Sequence, residues 1–154
     1  MGAPLVPERK LRSMSRVQFV VLAINVVWFL LGFRLFALRP RQAVKLLVPE
    51  ATRDEMSRRA LVDALPFLGG MNFAFAALSG AALTVKLVTG TAPSWTLFFA
   101  SSVAHATQFA CNVPLAMRGG RAGGASWNVL RGPLFFIFVV DASCALANAA
   151  ALFV

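Results

Sequence analysis

Charged residues are scarce in this sequence. Asp, Glu, Lys and Arg together make up 14% of its 154 residues, whereas about 25% is usual in soluble globular proteins. Hydrophobic residues account for 58% of the chain. This composition excludes an ordinary soluble protein and indicates an integral membrane protein, and the length suits a single domain.

Side chains that carry catalysis or bind metals are also few. The chain has one histidine, two cysteines, no tyrosine and no CxxC, HExxH or G-x-S-x-G motif, so we expect neither enzymatic activity nor a cofactor. Cys111 and Cys144 fall at different depths of two apolar runs, and a disulfide between them is therefore not expected. The glycine-rich loop 118–132 lacks Walker or dinucleotide spacing, which favours a connector over a phosphate site.

Four apolar runs occupy more than half of the chain, at residues 17–38, 67–87, 95–117 and 133–154. An α-helix rises 1.5 Å per residue, so each run can cross a hydrocarbon core of about 30 Å. The first run is too long for the apolar part of a signal peptide. The sequence thus predicts an all-α, polytopic membrane protein with four transmembrane helices in an antiparallel bundle. A short turn makes the second and third helices expected neighbours.

The loop after the first run contains an amphipathic stretch at residues 52–65. Thr52 and Glu55 have the spacing of a capping box, and two acidic residues precede basic residues by four positions, which favours a helix. We expect an interfacial helix that lies on the membrane surface. It leads to Pro66, a residue suited to the first turn of the second span.

The positive charge of the protein lies mostly outside the apolar runs. The net charge is +9, and each basic residue beside a membrane attracts anionic lipid headgroups by about 1 kcal/mol, so no nucleic acid partner is needed to explain it. Nine Lys and Arg lie on the face with both longer loops and five on the opposite face, which predicts cytoplasmic loops and non-cytoplasmic termini. The expected headgroup contacts are Arg39, Arg41, Arg58, Arg59, Arg118 and Arg121.

One helix face predicts where spans approach one another. In the second span, small residues recur at i, i+4 and i+8, a seam that lets a neighbouring helix pack closely. These residues are Ala76, Gly80 and Thr84. In the first span, Asn25 and Gly32 share one face, with Trp28 between them.

Polar side chains also mark the third and fourth runs. Ser101, His105, Gln108 and Asn112 follow one another on a single face of the third run. The fourth run has one charge, Asp141, with Cys144 and Asn148 on the same side. An Asp in a span costs about 2.5–3.5 kcal/mol to insert and needs a partner. Depth along the helices places His105 and Gln108 within about 5 Å of its level.

This polar cluster has three interpretations. It can fix which helix faces meet, because polar contacts between spans contribute about 0.6 kcal/mol on average. It can relay protons in a small proton-coupled transporter, which with four helices would have to dimerise. His105 can also ligate a haem or pigment, although no second ligand is evident. We expect a non-enzymatic accessory or scaffold subunit that binds lipid, other membrane proteins or a second copy of itself.

Overall fold

The computed structural model describes residues 15–48, 54–119 and 129–154. A π-helical segment, Arg34–Leu38, continues the first helix, and a 3₁₀ turn, Ala151–Phe153, follows the last. No strand occurs among the described residues, so the predicted all-α class is confirmed. The five α-helices are α1 (Arg16–Phe33), α2 (Pro40–Leu47), α3 (Glu55–Thr89), α4 (Trp95–Gly119) and α5 (Gly132–Ala150).

Three helices in the described part of the chain are long and apolar enough to cross a membrane. They are α1 with its π-helical continuation, α3, and α5 with its 3₁₀ turn. Helix α4 has 25 residues and carries His105, Gln108 and several hydroxyl side chains, and it is not among these three helices. A membrane location is therefore supported by three helices, and a fourth crossing stays a prediction.

Helix α1 begins at a complete capping box. The Ser15 hydroxyl accepts a hydrogen bond from the Gln18 backbone N–H, and the Gln18 side-chain oxygen accepts one from the Ser15 N–H, both at 3.2 Å. These bonds satisfy donors that have no partner inside the first turn. Gln18 Nε2 also donates to the carbonyl oxygens of Ala151 and Val154, at 3.0 and 2.9 Å. One side chain thus holds the start of α1 beside the end of α5.

Helix α3 is continuous over 35 residues, so the predicted boundary between an interfacial helix at 52–65 and the second span is absent. Thr52 lies outside the described residues. The helix is capped by Asp54, whose carboxylate accepts a hydrogen bond from the Ser57 N–H at 2.8 Å. Pro66 lies within α3 even though proline removes one helical hydrogen bond.

Packing against α2 explains why α3 continues through Pro66. Helix α2 is a short element within the predicted first loop, and Pro40 lies in its first turn, where a missing N–H removes no helical bond. Its Ala43 and Val44 are buried and form a small core with Leu65 of α3. This contact holds the turn before Pro66 in line with the rest of the helix.

The helices pack as two pairs. Helix α1 runs along α3 and α4 runs along α5, whereas α3 and α4 make few contacts despite the short connection between them. The predicted neighbours α3 and α4 therefore border one another with few direct contacts, and each packs mainly against a different helix. Helix α3 turns its closely packing surface toward α1. A gap therefore remains between α3 and α4.

Two glycines allow α1 and α3 to approach closely. A Cβ at Gly69 would lie 2.5 Å from the backbone nitrogen of Ala37, which lies in the π-helical segment that follows α1. A Cβ at Gly32 would collide with the side-chain oxygen of Asn72. In lipid, helices associate through close packing of this kind, because burial of apolar surface between helices contributes little to their association there.

The seam predicted for the second span coincides only partly with this contact. Ala76 is buried, but a Cβ at Gly80 would find its nearest atom 4.0 Å away, and Thr84 is exposed. Within this chain, Gly80 and Thr84 therefore do not form the close contact. Gly69, Ala76 and Gly80 lie within about 40° of one another around α3, so all three face α1, and the fit is tight only at the Gly69 end. The buried face of α3 consists of Leu65, Gly69, Asn72, Ala76 and Ser79.

Candidate functional site: a buried polar joint beside a groove

The single histidine of the chain lies against Asp141. His105 Nδ1 is 3.1 Å from Asp141 Oδ1, and both side chains are buried. Trp28 Nε1 of α1 donates to the same carboxylate oxygen at 3.0 Å. Because an ionised carboxylate only accepts hydrogen bonds, His105 Nδ1 is the donor when Asp141 is ionised. Helices α1, α4 and α5 thus meet at one oxygen atom.

A second polar contact joins α1 to α5 two turns further along α5. The side chains of Asn25 and Asn148 are both fully buried and exchange two hydrogen bonds, at 2.8 and 3.0 Å. Asn148 also donates to the carbonyl oxygen of Cys144 at 2.9 Å. A buried amide left without its partner costs about 1–3 kcal/mol, so each asparagine depends on the other. We call Asn25, Trp28, His105, Asp141 and Asn148 the polar joint.

Aromatic rings connect the polar joint to α3. The Phe29 ring is buried between two others, with its centroid 5.0 Å from Phe75 and 4.7 Å from the His105 imidazole, nearly parallel to both. This stack runs from α3 through α1 to α4. His105 Nε2 is buried and has no hydrogen-bond partner. The stack therefore holds the imidazole ring in place while Asp141 fixes its other nitrogen.

The remaining members of the predicted cluster lie elsewhere on α4. Ser101 is buried one turn from His105, and its hydroxyl has no hydrogen-bond partner. Gln108 lines a groove on the α3 side. Asn112 donates to the carbonyl oxygen of Gln108, within its own helix, at 2.9 Å. The structure thus brings His105 and Asp141 together and leaves Ser101, Gln108 and Asn112 outside the polar joint.

Three members of the polar joint were missing from the predicted site. They are Asn25, Trp28 and Asn148. The sequence carried a signal for each, because Asn25 and Trp28 share a face of the first span and Asn148 shares a face with Asp141. That signal was incomplete, since helical spacing shows which residues lie on one face but not which face of another helix they meet.

A groove separates α3 from α4 where the two helix pairs diverge. Its volume is about 500 Å³, and Phe29 of α1 contributes to its lining. Leu68, Met71 and Phe75 line the α3 side, and no charged residue of the described chain lines the groove. The apolar lining of the α4 side is Phe99, Ala100, Val103 and Ala104, and the polar lining is Asn72, Thr107 and Gln108.

The arginines expected at the lipid headgroups differ in their environment. Arg58 and Arg59 each bind the Glu55 carboxylate at 2.7 Å. Hydrogen bonds from Arg58 and then Arg59 lower the pKa of Glu55 to about 2, so this ion-paired group persists at neutral pH. Arg121 lies outside the described residues. Of the six, Arg39, Arg41 and Arg118 are exposed and have no ion pair among the described residues.

The surroundings of His105 do not favour a haem or pigment. Its Nε2 is enclosed, its Nδ1 is engaged by Asp141 and its ring lies against Phe29, so a metal could reach it only if this packing opened. Within residues 15–48, 54–119 and 129–154, no three His, Cys, Asp or Glu side chains come together. Both cysteines there are free.

No protein-family model, curated protein or solved structure matches this chain. Its function is therefore inferred from the polar joint and the groove. The joint is closed and largely satisfies its own hydrogen bonds, whereas the groove is open on the side of the bundle. A binding surface is thus more evident in the groove than in the joint.

Proposed function

We propose that this protein is a four-span integral membrane protein that acts as a non-enzymatic accessory or scaffold subunit. It binds a membrane partner or lipid at the groove between α3 and α4. The observation that carries this proposal is the groove of about 500 Å³, because concave sites of about 300–1,000 Å³ with mostly apolar lining and a few polar groups are typical of binding sites. The absence of titratable side chains from its described lining supports binding rather than chemistry.

The fourth crossing of this proposal is α4. Its 25 residues span about 37 Å at 1.5 Å per residue, and it packs along α5, itself apolar and long enough to cross. Burial of His105 among helices removes the imidazole near the middle of α4 from lipid. With nine basic residues at one end, the loops are cytoplasmic and both termini outside. A terminal reporter found in the cytoplasm would reverse this orientation.

Co-purification in mild detergent tests the accessory role, with two tryptophan variants as a matched pair. Val103 and Val139 are each 44% exposed, but only Val103 lines the groove. We expect the wild-type protein and Val139→Trp to retain a stoichiometric partner polypeptide or lipid, and Val103→Trp to lose it because the indole fills the groove. A wild-type protein that purifies as a lone monomer without bound lipid contradicts the proposal, as does equal loss from both variants.

A second candidate function is proton-coupled transport. It is favoured by the buried contact between His105 and Asp141, since ionisable residues within membranes often belong to proton pathways. Transport would require two copies of the chain, because four helices are few for an alternating pathway.

The transport hypothesis predicts that Asp141→Asn abolishes pH-driven solute uptake into vesicles. The asparagine keeps an oxygen that accepts from Trp28 and His105 but cannot exchange a proton. Uptake would be measured against an imposed pH gradient, with the inserted amount of each variant as the control. Equal uptake by wild type and Asp141→Asn excludes Asp141 from a transport mechanism.

A further inference from the structure

The groove between α3 and α4 has a polar part as well as an apolar one. The Phe29 ring contacts both Phe75 and His105, which places these two residues at a similar depth. Because α3 and α4 run in opposite directions, Asn72 and Gln108 each lie about one turn from that level, on the same side. Both line the groove. Two amides from facing helices therefore border one end of an otherwise apolar surface.

Hydrogen bonding differs among the polar groups of the groove. Asn72 Nδ2 donates to the carbonyl oxygen of Leu68, and the Thr107 hydroxyl donates to that of Ala104, each at 2.9 Å. The side-chain amide of Gln108 has no hydrogen bond within the described residues. In a hydrocarbon environment an unpaired amide is costly, so Gln108 offers a donor and an acceptor to a bound molecule.

The volume of the groove limits its occupant. Sites of about 300–1,000 Å³ hold single small molecules, and this groove falls in that range at about 500 Å³. The groove thus has the size of a site for one small ligand.

The depth and charge of the groove limit the polar end of that ligand. Gln108 lies ten residues before Arg118, about 15 Å deeper along the helix, and thus below the headgroups. A phosphate or carboxylate at that depth would need a cationic partner, and no charged residue of the described chain lines the groove. A hydroxyl or carbonyl needs only the amide of Gln108.

We propose that this groove binds one neutral amphiphile, such as a long-chain alcohol, with its hydroxyl or carbonyl at Gln108. Its hydrocarbon lies along Phe75, Phe99 and Val103. This inference rests on the proposed function, because it assumes that α4 crosses the membrane, and it names the ligand class of the same groove.

Photolabelling of the purified protein in phosphatidylcholine vesicles tests the ligand class. Three probes carry a diazirine in the same alkyl chain: a long-chain alcohol, the corresponding fatty acid and a phosphatidylcholine. We expect the alcohol to label peptides of α3 and α4 at least five-fold more than either other probe, and excess unlabelled alcohol to suppress that labelling. Equal labelling by the phosphatidylcholine probe, or stronger labelling by the fatty acid, overturns the proposal.

Three variants locate the site. Val103→Trp and Gln108→Leu are each expected to reduce alcohol labelling at least five-fold, the first by filling the groove and the second by removing its unpaired amide. Val139→Trp, which has the same exposure but lies outside the groove, should label as wild type does. Equal labelling of all four proteins overturns the assignment. If a partner polypeptide co-purifies while the alcohol does not label, the accessory role stands and this inference fails.

Discussion

Replacing Gly69 by alanine is expected to lower the free energy of unfolding by about 1–3 kcal/mol, the usual cost of overpacking a tight contact. The added Cβ would lie 2.5 Å from both the backbone nitrogen and the Cβ of Ala37. Backbone atoms cannot move aside as the end of a flexible side chain can, so α1 and α3 would have to separate. The loss would extend along their interface, which is the main contact of α1.

The adjacent residue provides the control for this prediction. Gly70 lies in the same helix, and a Cβ there would meet no atom within 4 Å. Alanine is favoured over glycine in helices by about 1 kcal/mol, so Gly70→Ala should match or exceed wild-type stability. Stability would be measured by SDS titration of protein in mild detergent micelles, followed by circular dichroism. If the two variants unfold at the same SDS fraction, the close approach at Gly69 does not determine the stability of the bundle.

Much of the helical architecture could be predicted from hydropathy. A stretch of about 20 apolar residues has to satisfy its backbone hydrogen bonds internally, and this requirement predicted helices at 17–38, 95–117 and 133–154, close to the observed bounds. The start of α3 could not be predicted in this way. Pro66 is compatible both with the first turn of a helix and with its interior, and the outcome depends on Leu65 packing against α2.

The rotation of each helix was harder to predict than its length. Spacing places Gly69, Ala76 and Gly80 on one face of α3, but it does not show where along that face α1 comes closest. The closest approach is at the Gly69 end, where Ala37 and Asn72 fit against glycines of the opposite helix. That information is distributed over two helices and is not present in either one alone.

The partners of Asp141 illustrate the same limit at the candidate site. Depth along the helices identified His105 and Gln108 as possible partners, because both lie near the level of Asp141. The orientation of α4 turns His105 toward Asp141 and Gln108 toward the groove. Trp28 could not be assigned, because the sequence does not show that α1 packs against α5 at this depth.

Asp141→Leu is expected to destabilise the bundle by about 2–5 kcal/mol. The substitution removes the oxygen that Trp28 Nε1 and His105 Nδ1 share, and a donor left unpaired away from water costs about 1–3 kcal/mol. Insertion should not suffer, because leucine enters a membrane more easily than aspartate. The variant would therefore reach the membrane in normal amounts but unfold at a lower SDS fraction.

Two further substitutions separate the loss of hydrogen bonds from the loss of charge. Asp141→Asn keeps an accepting oxygen and should cost about 1 kcal/mol, a typical net hydrogen-bond contribution. Combining His105→Leu with Asp141→Leu removes one of the two donors that Asp141→Leu leaves unpaired. The double variant should therefore lose less stability than the sum of the losses in the two single variants. Ser143→Leu, at an exposed position of the same helix, is the control and should unfold with wild type.

Wild-type stability in Asp141→Leu would contradict this role for the polar joint. Packing between α4 and α5 would then suffice to hold the bundle, and the carboxylate would contribute nothing to the fold. A buried charge that costs about 2.5–3.5 kcal/mol to insert without stabilising the protein would need another explanation. Proton-coupled transport would then become the stronger hypothesis, because only that function requires an ionisable group at this position.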